Sequence, residues 1–167
     1  MISPQGLIFP KPFANFNFNN YNIPLIKATI LAKNNNNSEA LFLVKKNIEQ
    51  LVFELTKKKK SIHAIQFNDV KDLVSPKFIG FFNKSGQLYL NEYIRTKYSK
   101  LLTISFNLFS ISAALFNDYY LKGEYNEDLN KYQTEITEGL LNISVLKSMT
   151  LKDKISLLNT IERNASQ

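Results

Sequence analysis

The longest stretch without a charged side chain, residues 101–117, constrains this fold most. Apolar residues cover almost the whole circumference of a helix here, so the segment has to leave water. It falls short of the roughly 20 apolar residues that a membrane span needs, and hydroxyl and amide side chains interrupt it. We therefore predict the central buried helix of a soluble domain, from near Asn91 to just before Gly123. A marginal membrane segment is the alternative.

The region before this helix predicts a small sheet. Residues 23–33 and 61–67 are rich in apolar residues and are typical of strands. Residues 78–82 and 87–90 are predicted to pair as a hairpin, because residues 83–86 run from asparagine to glycine. Between the first two strands, residues 39–59 place apolar side chains at helical spacing and predict one amphipathic helix.

Two more helices are predicted after the central one, starting near Asn126 and at Thr150. Helices that follow strands favour an α+β class over a doubly wound sheet. We predict a three- to four-stranded sheet with one amphipathic helix, followed by a C-terminal layer of about three helices. The domain covers residues 23–167, with a strand-bearing part (23–91) and a helical part (92–167).

Residues 1–22 are predicted to be an extended aromatic arm, because prolines forbid a helix over much of this segment. Aromatic side chains anchor protein interfaces well. Candidate partner-binding residues are therefore Phe13, Phe16, Phe18 and Tyr21. The alternative is that the arm packs on its own domain.

The net charge of +7 is unevenly distributed. Residues 1–100 carry 15 basic and 6 acidic side chains, whereas residues 101–167 carry 6 basic and 8 acidic ones. The candidate residues for binding a nucleic acid or an acidic partner are Lys57, Lys58, Lys59, Lys60, Arg95, Lys97 and Lys100. A basic face of this kind contacts phosphates or acidic surfaces. The alternative explanation is that these basic residues bind nothing. They would then be the solvated end of a helix in a chain made lysine-rich by the codon usage of an AT-rich genome, such as that of a phage or a bacterium.

Residues for catalysis are sparse. The chain has no cysteine and one histidine, His63, which we interpret as structural. No glycine-rich phosphate loop is present. The weak catalytic candidates are Asp69, Asp72, Glu92 and Lys71, which would suit a metal-dependent enzyme. We expect no resident metal and no small-molecule cofactor.

These observations favour a non-enzymatic interaction or assembly protein that binds a macromolecular partner through the arm and the basic face. The partner would be another protein or a second copy of the chain, and membrane binding is not favoured. A nucleic-acid-binding module is the second hypothesis, and a metal-dependent enzyme is the third. The N-terminus shows no secretory signal, so we expect a location in the cytoplasm or within a macromolecular assembly.

Overall fold

The computed structural model describes residues 17–121 and 128–148, and within these ranges helices are joined by short turns and by one irregular connection, residues 57–66. Six α-helices and one 3₁₀ turn, at Lys71–Leu73, account for the regular structure of these ranges. The predicted α+β class is wrong, since the described residues contain no strand. The α-helices are α1 (Asn19–Lys33), α2 (Asn37–Thr56), α3 (Phe67–Val70), α4 (Pro76–Thr96), α5 (Ser99–Leu121) and α6 (Asp128–Ser148).

The first predicted strand, residues 23–33, lies within helix α1. Its buried residues are Tyr21, Leu25 and Ala28, which follow the spacing of one helical face. The isoleucines Ile23, Ile26 and Ile30, which made this segment resemble a strand, lie on the exposed side of the helix. Pro24 stands inside this helix, where it lacks the N–H that would donate to the carbonyl four residues earlier, so α1 forms with one intrahelical bond fewer.

The predicted hairpin, residues 78–90, is a continuous part of helix α4. Ser75 caps the helix by accepting a hydrogen bond from the Phe78 N–H at 3.4 Å, and Pro76 occupies the first helical position. Serine followed by proline is a strong helix start, because proline there gives up no intrahelical bond. The Asn83–Gly86 sequence that resembled a turn therefore lies mid-helix.

The predicted second strand, residues 61–67, is mostly an irregular connection between α2 and α3. It anchors Ile62 and Ile65 in the core, where both are almost completely buried. The Nδ2 of Asn107 on α5 donates to the Ile65 carbonyl at 2.6 Å. This bond satisfies a backbone carbonyl that lies outside any helix.

The predicted helices are present with changed limits. The amphipathic helix is α2, and the predicted central helix is α5 preceded by the last turns of α4. The two are separated at Lys97, whose left-handed φ of 60° ends α4. The helix predicted near Asn126 is α6. The helix predicted from Thr150 lies outside the described residues.

The centre of the fold is a close contact among α4, α5 and α6. The fully buried ring of Phe109 on α5 lies between two glycines, Gly86 on α4 and Gly139 on α6. Ser105 and Ser112 of α5 donate hydrogen bonds at 2.8 and 2.7 Å to carbonyls of α4. The two glycines allow the helices to approach the Phe109 ring closely. The two serines donate hydrogen bonds to α4 carbonyls that this close packing buries.

Helix α5 packs against α4 and α6 and contributes eight buried residues. Its length and mean hydropathy of 1.4 also meet the requirements for a membrane-crossing helix, with 44% of the most apolar window buried. Core helices of soluble proteins have the same length and composition, so this property alone carries no assignment.

Candidate anion-binding surface

The outer side of helix α2 carries aromatic and basic side chains together. Its inner side buries Val44, Ile48 and Leu51. On the opposite side Phe42 is 59% exposed, and the Lys46 Nζ lies 5.5 Å from the centroid of its ring. Phe53 is also exposed on this side. Eleven residues separate the two rings, which places them about 16 Å apart along the helix.

The chain turns back on itself after α2 and adds more lysines to this side. Lys57 has a left-handed φ of 61°, and its N–H donates to the Phe53 carbonyl at 2.7 Å. The Glu49 carboxylate then accepts a hydrogen bond of 2.8 Å from the Ile62 N–H, which holds the returning segment against α2. The reversal therefore brings residues 57–61 alongside α2.

A shallow groove of about 490 Å³ lies between α2 and the returning segment. It is lined by Lys45, Lys46, Glu49, Gln50, Phe53, Lys59, Lys60 and Ser61. We call the surface formed by Lys45, Lys46, Lys57, Lys58, Lys59 and Lys60 the lysine face. The run Lys57–Lys60 was predicted from the sequence as a basic cluster. Lys45 and Lys46, from the middle of α2, were not among the predicted residues and join the run in the folded chain.

The lysine face carries more positive charge than its neighbours neutralise. Lys45 pairs with Glu49 at 3.1 Å, and Lys60 pairs with Asp69 at 2.9 Å. Among the described residues, Lys46, Lys58 and Lys59 pair with no carboxylate. These three ammonium groups can meet an external anion without first breaking an ion pair.

A buried tyrosine fixes the third carboxylate near this surface. The Tyr21 hydroxyl donates a hydrogen bond to Glu54 Oε2, and Gln50 Nε2 donates to Glu54 Oε1 at 2.9 Å. The hydrogen bond from Tyr21 lowers the pKa of the Glu54 carboxyl, and the bond from Gln50 lowers it further. Burial, with Glu54 nearby, raises the pKa of the Tyr21 hydroxyl.

The second predicted basic cluster lies elsewhere. Arg95 donates two hydrogen bonds to Glu92, at 2.5 and 2.8 Å, and borders the turn that precedes α2. The run of four lysines follows the other end of α2, about 30 Å away along a helix of this length. Lys97 and Lys100 are exposed where α4 passes into α5. The two clusters predicted from sequence therefore do not form one continuous surface.

The aromatic candidates divide between described and undescribed residues. Phe18 packs edge-on against Phe78 with 5.0 Å between ring centroids, and Tyr21 is 3% exposed. Both rings belong to the chain's own core, and helix α1 already begins at Asn19. Phe13 and Phe16 lie outside the described residues, so their role stays a prediction.

The carboxylate candidates do not converge. Asp69 caps the short helix α3, accepting from the Gln66 N–H at 3.0 Å, and pairs with Lys60. Asp72 and Lys71 lie in the 3₁₀ turn just before α4. Glu92 stands near the other end of α4, about 24 Å along the helix from its start. In residues 17–121 and 128–148 no three His, Asp or Glu side chains form a metal-binding group.

His63, interpreted from the sequence as a structural strand residue, is exposed in the turn between α2 and α3. Its backbone N–H donates to the Ser61 hydroxyl at 3.4 Å. The position in a strand is wrong, because the surrounding residues form a turn.

Sequence reasoning missed Phe42 and Phe53 as surface residues. The available signal was their position on the polar side of an amphipathic helix, among lysines and glutamates, where an apolar ring gains little from burial. No protein-family model, no curated protein and no solved structure matches this chain.

Proposed function

We propose that this chain is a non-enzymatic binding protein that holds single-stranded nucleic acid on the lysine face. The observation that carries the proposal is the groove in which lysines from α2 and from the returning segment surround Phe53. Cations along a groove attract the phosphate backbone, and exposed rings stack on unpaired bases. This proposal gives the predicted basic face a specific ligand.

The exposed rings favour a single strand over a duplex. Phe42 and Phe53 are about 16 Å apart along the helix, a span that a few nucleotides of an extended strand cover. Paired bases keep their faces inside the duplex, so a phenyl ring at the surface has nothing to stack on. A duplex would use the lysines alone.

The same side of α2 is a poor match for a membrane surface. A helix lying in the lipid interface presents a continuous apolar side. Here Lys46, Glu49 and Gln50 stand between the two rings. Insertion of both rings would bury these polar groups in the headgroup boundary.

The carboxylates described above support a binding role over a catalytic one. Asp69 is engaged by Lys60 and by a helix cap, and Glu92 is engaged by Arg95. Each has a structural partner, and they lie far apart, Asp69 on α3 and Glu92 near the end of α4. The groove itself contains Glu49, which is held by Lys45 and the Ile62 N–H.

Fluorescence anisotropy with a labelled oligothymidine tests the proposal. Three or four lysines contacting phosphates give a slope of log Kobs against log salt of about −2 to −3. The triple variant Lys46→Gln/Lys58→Gln/Lys59→Gln should remove about two units of that slope and most of the affinity. Phe42→Ala should weaken binding of the single strand by about fivefold or more, since stacking of one base contributes about 1–3 kcal/mol.

A matched triple variant separates a specific surface from net charge. Lys27→Gln/Lys100→Gln/Lys131→Gln removes the same charge from exposed positions outside the lysine face. It should leave affinity for the oligothymidine nearly unchanged. Equal weakening by both triples, or no salt-dependent binding by the wild type, would contradict the proposal. So would preferential binding to anionic vesicles or to a duplex, with no effect of Phe42→Ala.

A further inference from the structure

A second surface, separate from the lysine face, is an apolar groove between α1 and α4. Ile23, Ile26 and Ile30 are 64%, 50% and 54% exposed and recur at the spacing of one helical side. Three half-exposed isoleucines in one row are more than the scattered apolar residues found on ordinary surfaces. The row points to an interaction surface.

The groove beside this row has a defined shape and lining. Its volume is about 410 Å³, and it shares no residue with the lysine face. Leu25 and Leu88 contribute to its apolar lining, and amide and hydroxyl side chains surround them. The lining residues are Asn22, Leu25, Ile26, Thr29, Ile30, Lys33, Lys84, Gln87, Leu88 and Asn91.

The charges of the groove identify the partner's chemistry. Lys33 on α1 and Lys84 on α4 line it, and its lining contains no carboxylate. Lys27 extends the positive charge along the exposed side of α1. A partner that places apolar side chains in the groove therefore meets cations on both walls, and acidic residues would complement them.

The dimensions of the groove fit a helix. Its lining on α1 extends from Asn22 to Lys33, about 16 Å or three helical turns. Helical ligands bind such grooves through apolar anchors at the spacing of one helical side. A second copy of the chain fits less well, because a two-fold contact would bring the lysines of both copies into one interface, and the groove lining has no carboxylate to neutralise them.

We propose that the groove between α1 and α4 binds an amphipathic helix of another protein whose apolar side is flanked by acidic residues. The isoleucine row supplies the apolar contact, and the two walls supply the opposite charge. This surface would let the chain hold a protein partner independently of the lysine face.

A pair of synthetic peptides tests this inference on the full chain. The first is a labelled amphipathic peptide of about four helical turns, with leucines on one side and glutamates flanking them. The second is its twin with lysine in place of every glutamate. The glutamate peptide should bind saturably and at least about tenfold more tightly than its twin at low salt.

Variants locate the binding. Ile26→Gln and, separately, Lys84→Glu should each weaken the glutamate peptide by about tenfold. The control Leu141→Gln changes an aliphatic residue that is 60% exposed on α6, and should have no effect. The lysine-face triple variant should also leave peptide affinity within about twofold, which separates this site from the proposed function. Circular dichroism melts confirm that Ile26→Gln still folds.

Three results would overturn the inference. The first is absence of saturable binding, or equal affinity for the two peptides. The second is weakening by Leu141→Gln or by the lysine-face triple as large as that by Ile26→Gln. The third is a dimer in sedimentation equilibrium that Ile26→Gln dissociates, because the groove would then hold a second copy.

Discussion

Alanine in place of Gly139 should destabilise the chain, although alanine is the better helix former. A Cβ at this position would lie 2.7 Å from Phe109 Cζ. Carbon atoms in contact normally stand about 3.5–4.0 Å apart, so the ring would have to move by about 1 Å. The ring is fully buried and also lies close to Gly86, where an added Cβ would stand 3.2 Å from Phe109 Cδ2, so it has little room to move.

The size of the effect follows from two opposing terms. Overpacking a buried site costs about 1–3 kcal/mol. Replacing glycine by alanine inside a helix returns about 1 kcal/mol. Gly139→Ala should therefore lower the free energy of unfolding by about 1 kcal/mol. For a chain of this size the melting temperature should fall by about 2–4 °C.

Urea denaturation of a double-mutant cycle with Phe109→Leu measures this contact. In the Phe109→Leu background the ring is gone, so Gly139→Ala should become neutral or stabilising by up to about 1 kcal/mol. The coupling between the two positions should be about 1–2 kcal/mol. If Gly139→Ala stabilises the wild type, or if the two changes are additive, the packing described for α4, α5 and α6 is refuted.

Three further predictions concern caps and polar contacts. Lys97→Gly should raise the free energy of unfolding by about 0.5–1 kcal/mol, because glycine adopts a positive φ freely. The control Lys84→Gly replaces a residue inside α4 and should lower the free energy of unfolding by about 1 kcal/mol. Tyr21→Phe should lose about 1 kcal/mol at neutral pH, a modest value because Glu54 is exposed and screened. The pKa of Glu54 is lowered in the folded chain, so this contribution is fully present above the unfolded pKa and is lost as pH falls through the lowered folded pKa. A stability difference that persists in acid urea titrations would contradict it. Glu135→Ala should lower the free energy of unfolding by about 1–3 kcal/mol, because the buried Asn83 Nδ2, which donates to Glu135 at 2.7 Å, loses its acceptor. An unchanged free energy of unfolding in urea titrations would refute that contact.

Helices were predicted correctly from the sequence where apolar residues recur at helical spacing over several turns. Val44, Ile48 and Leu51 recur over several turns of α2, and no strand accommodates that spacing. Residues 23–33 were ambiguous, because exposed isoleucines lie beside the buried Leu25 and Ala28 and lengthen the apolar run. Which isoleucines face solvent is decided by the packing of α1 on its neighbours, and the local sequence does not contain that information.

The hairpin error has a specific physical origin. Asparagine and glycine at positions 83 and 86 resemble a turn, but each has a tertiary role within α4. Asn83 is buried and bonds to Glu135 on α6, and Gly86 makes room for the ring of Phe109. Ser75 and Pro76 carried the correct local signal for a helix start. Contacts with residues distant in the sequence outweighed the local turn preference.

The candidate surface was only partly accessible from the sequence. The run Lys57, Lys58, Lys59 and Lys60 was evident as a basic cluster. Its union with Lys45 and Lys46 depends on the chain reversal at Lys57 and on the Glu49 contact with Ile62. Neither feature could be predicted from the sequence. Lysine rarely adopts a positive φ, so nothing indicates a chain reversal at Lys57, and the pattern around Glu49 is that of an ordinary surface residue.

Photo-cross-linking tests the central claim most directly. The full chain is irradiated with a single-stranded oligonucleotide that carries 5-iodouracil, and the attached peptides are identified by mass spectrometry. We predict cross-links within residues 42–60, centred on Phe42 and Phe53, that disappear in the Lys46→Gln/Lys58→Gln/Lys59→Gln variant. Cross-links confined to residues 95–100, or none at a concentration where anisotropy shows binding, would contradict the assignment of the lysine face.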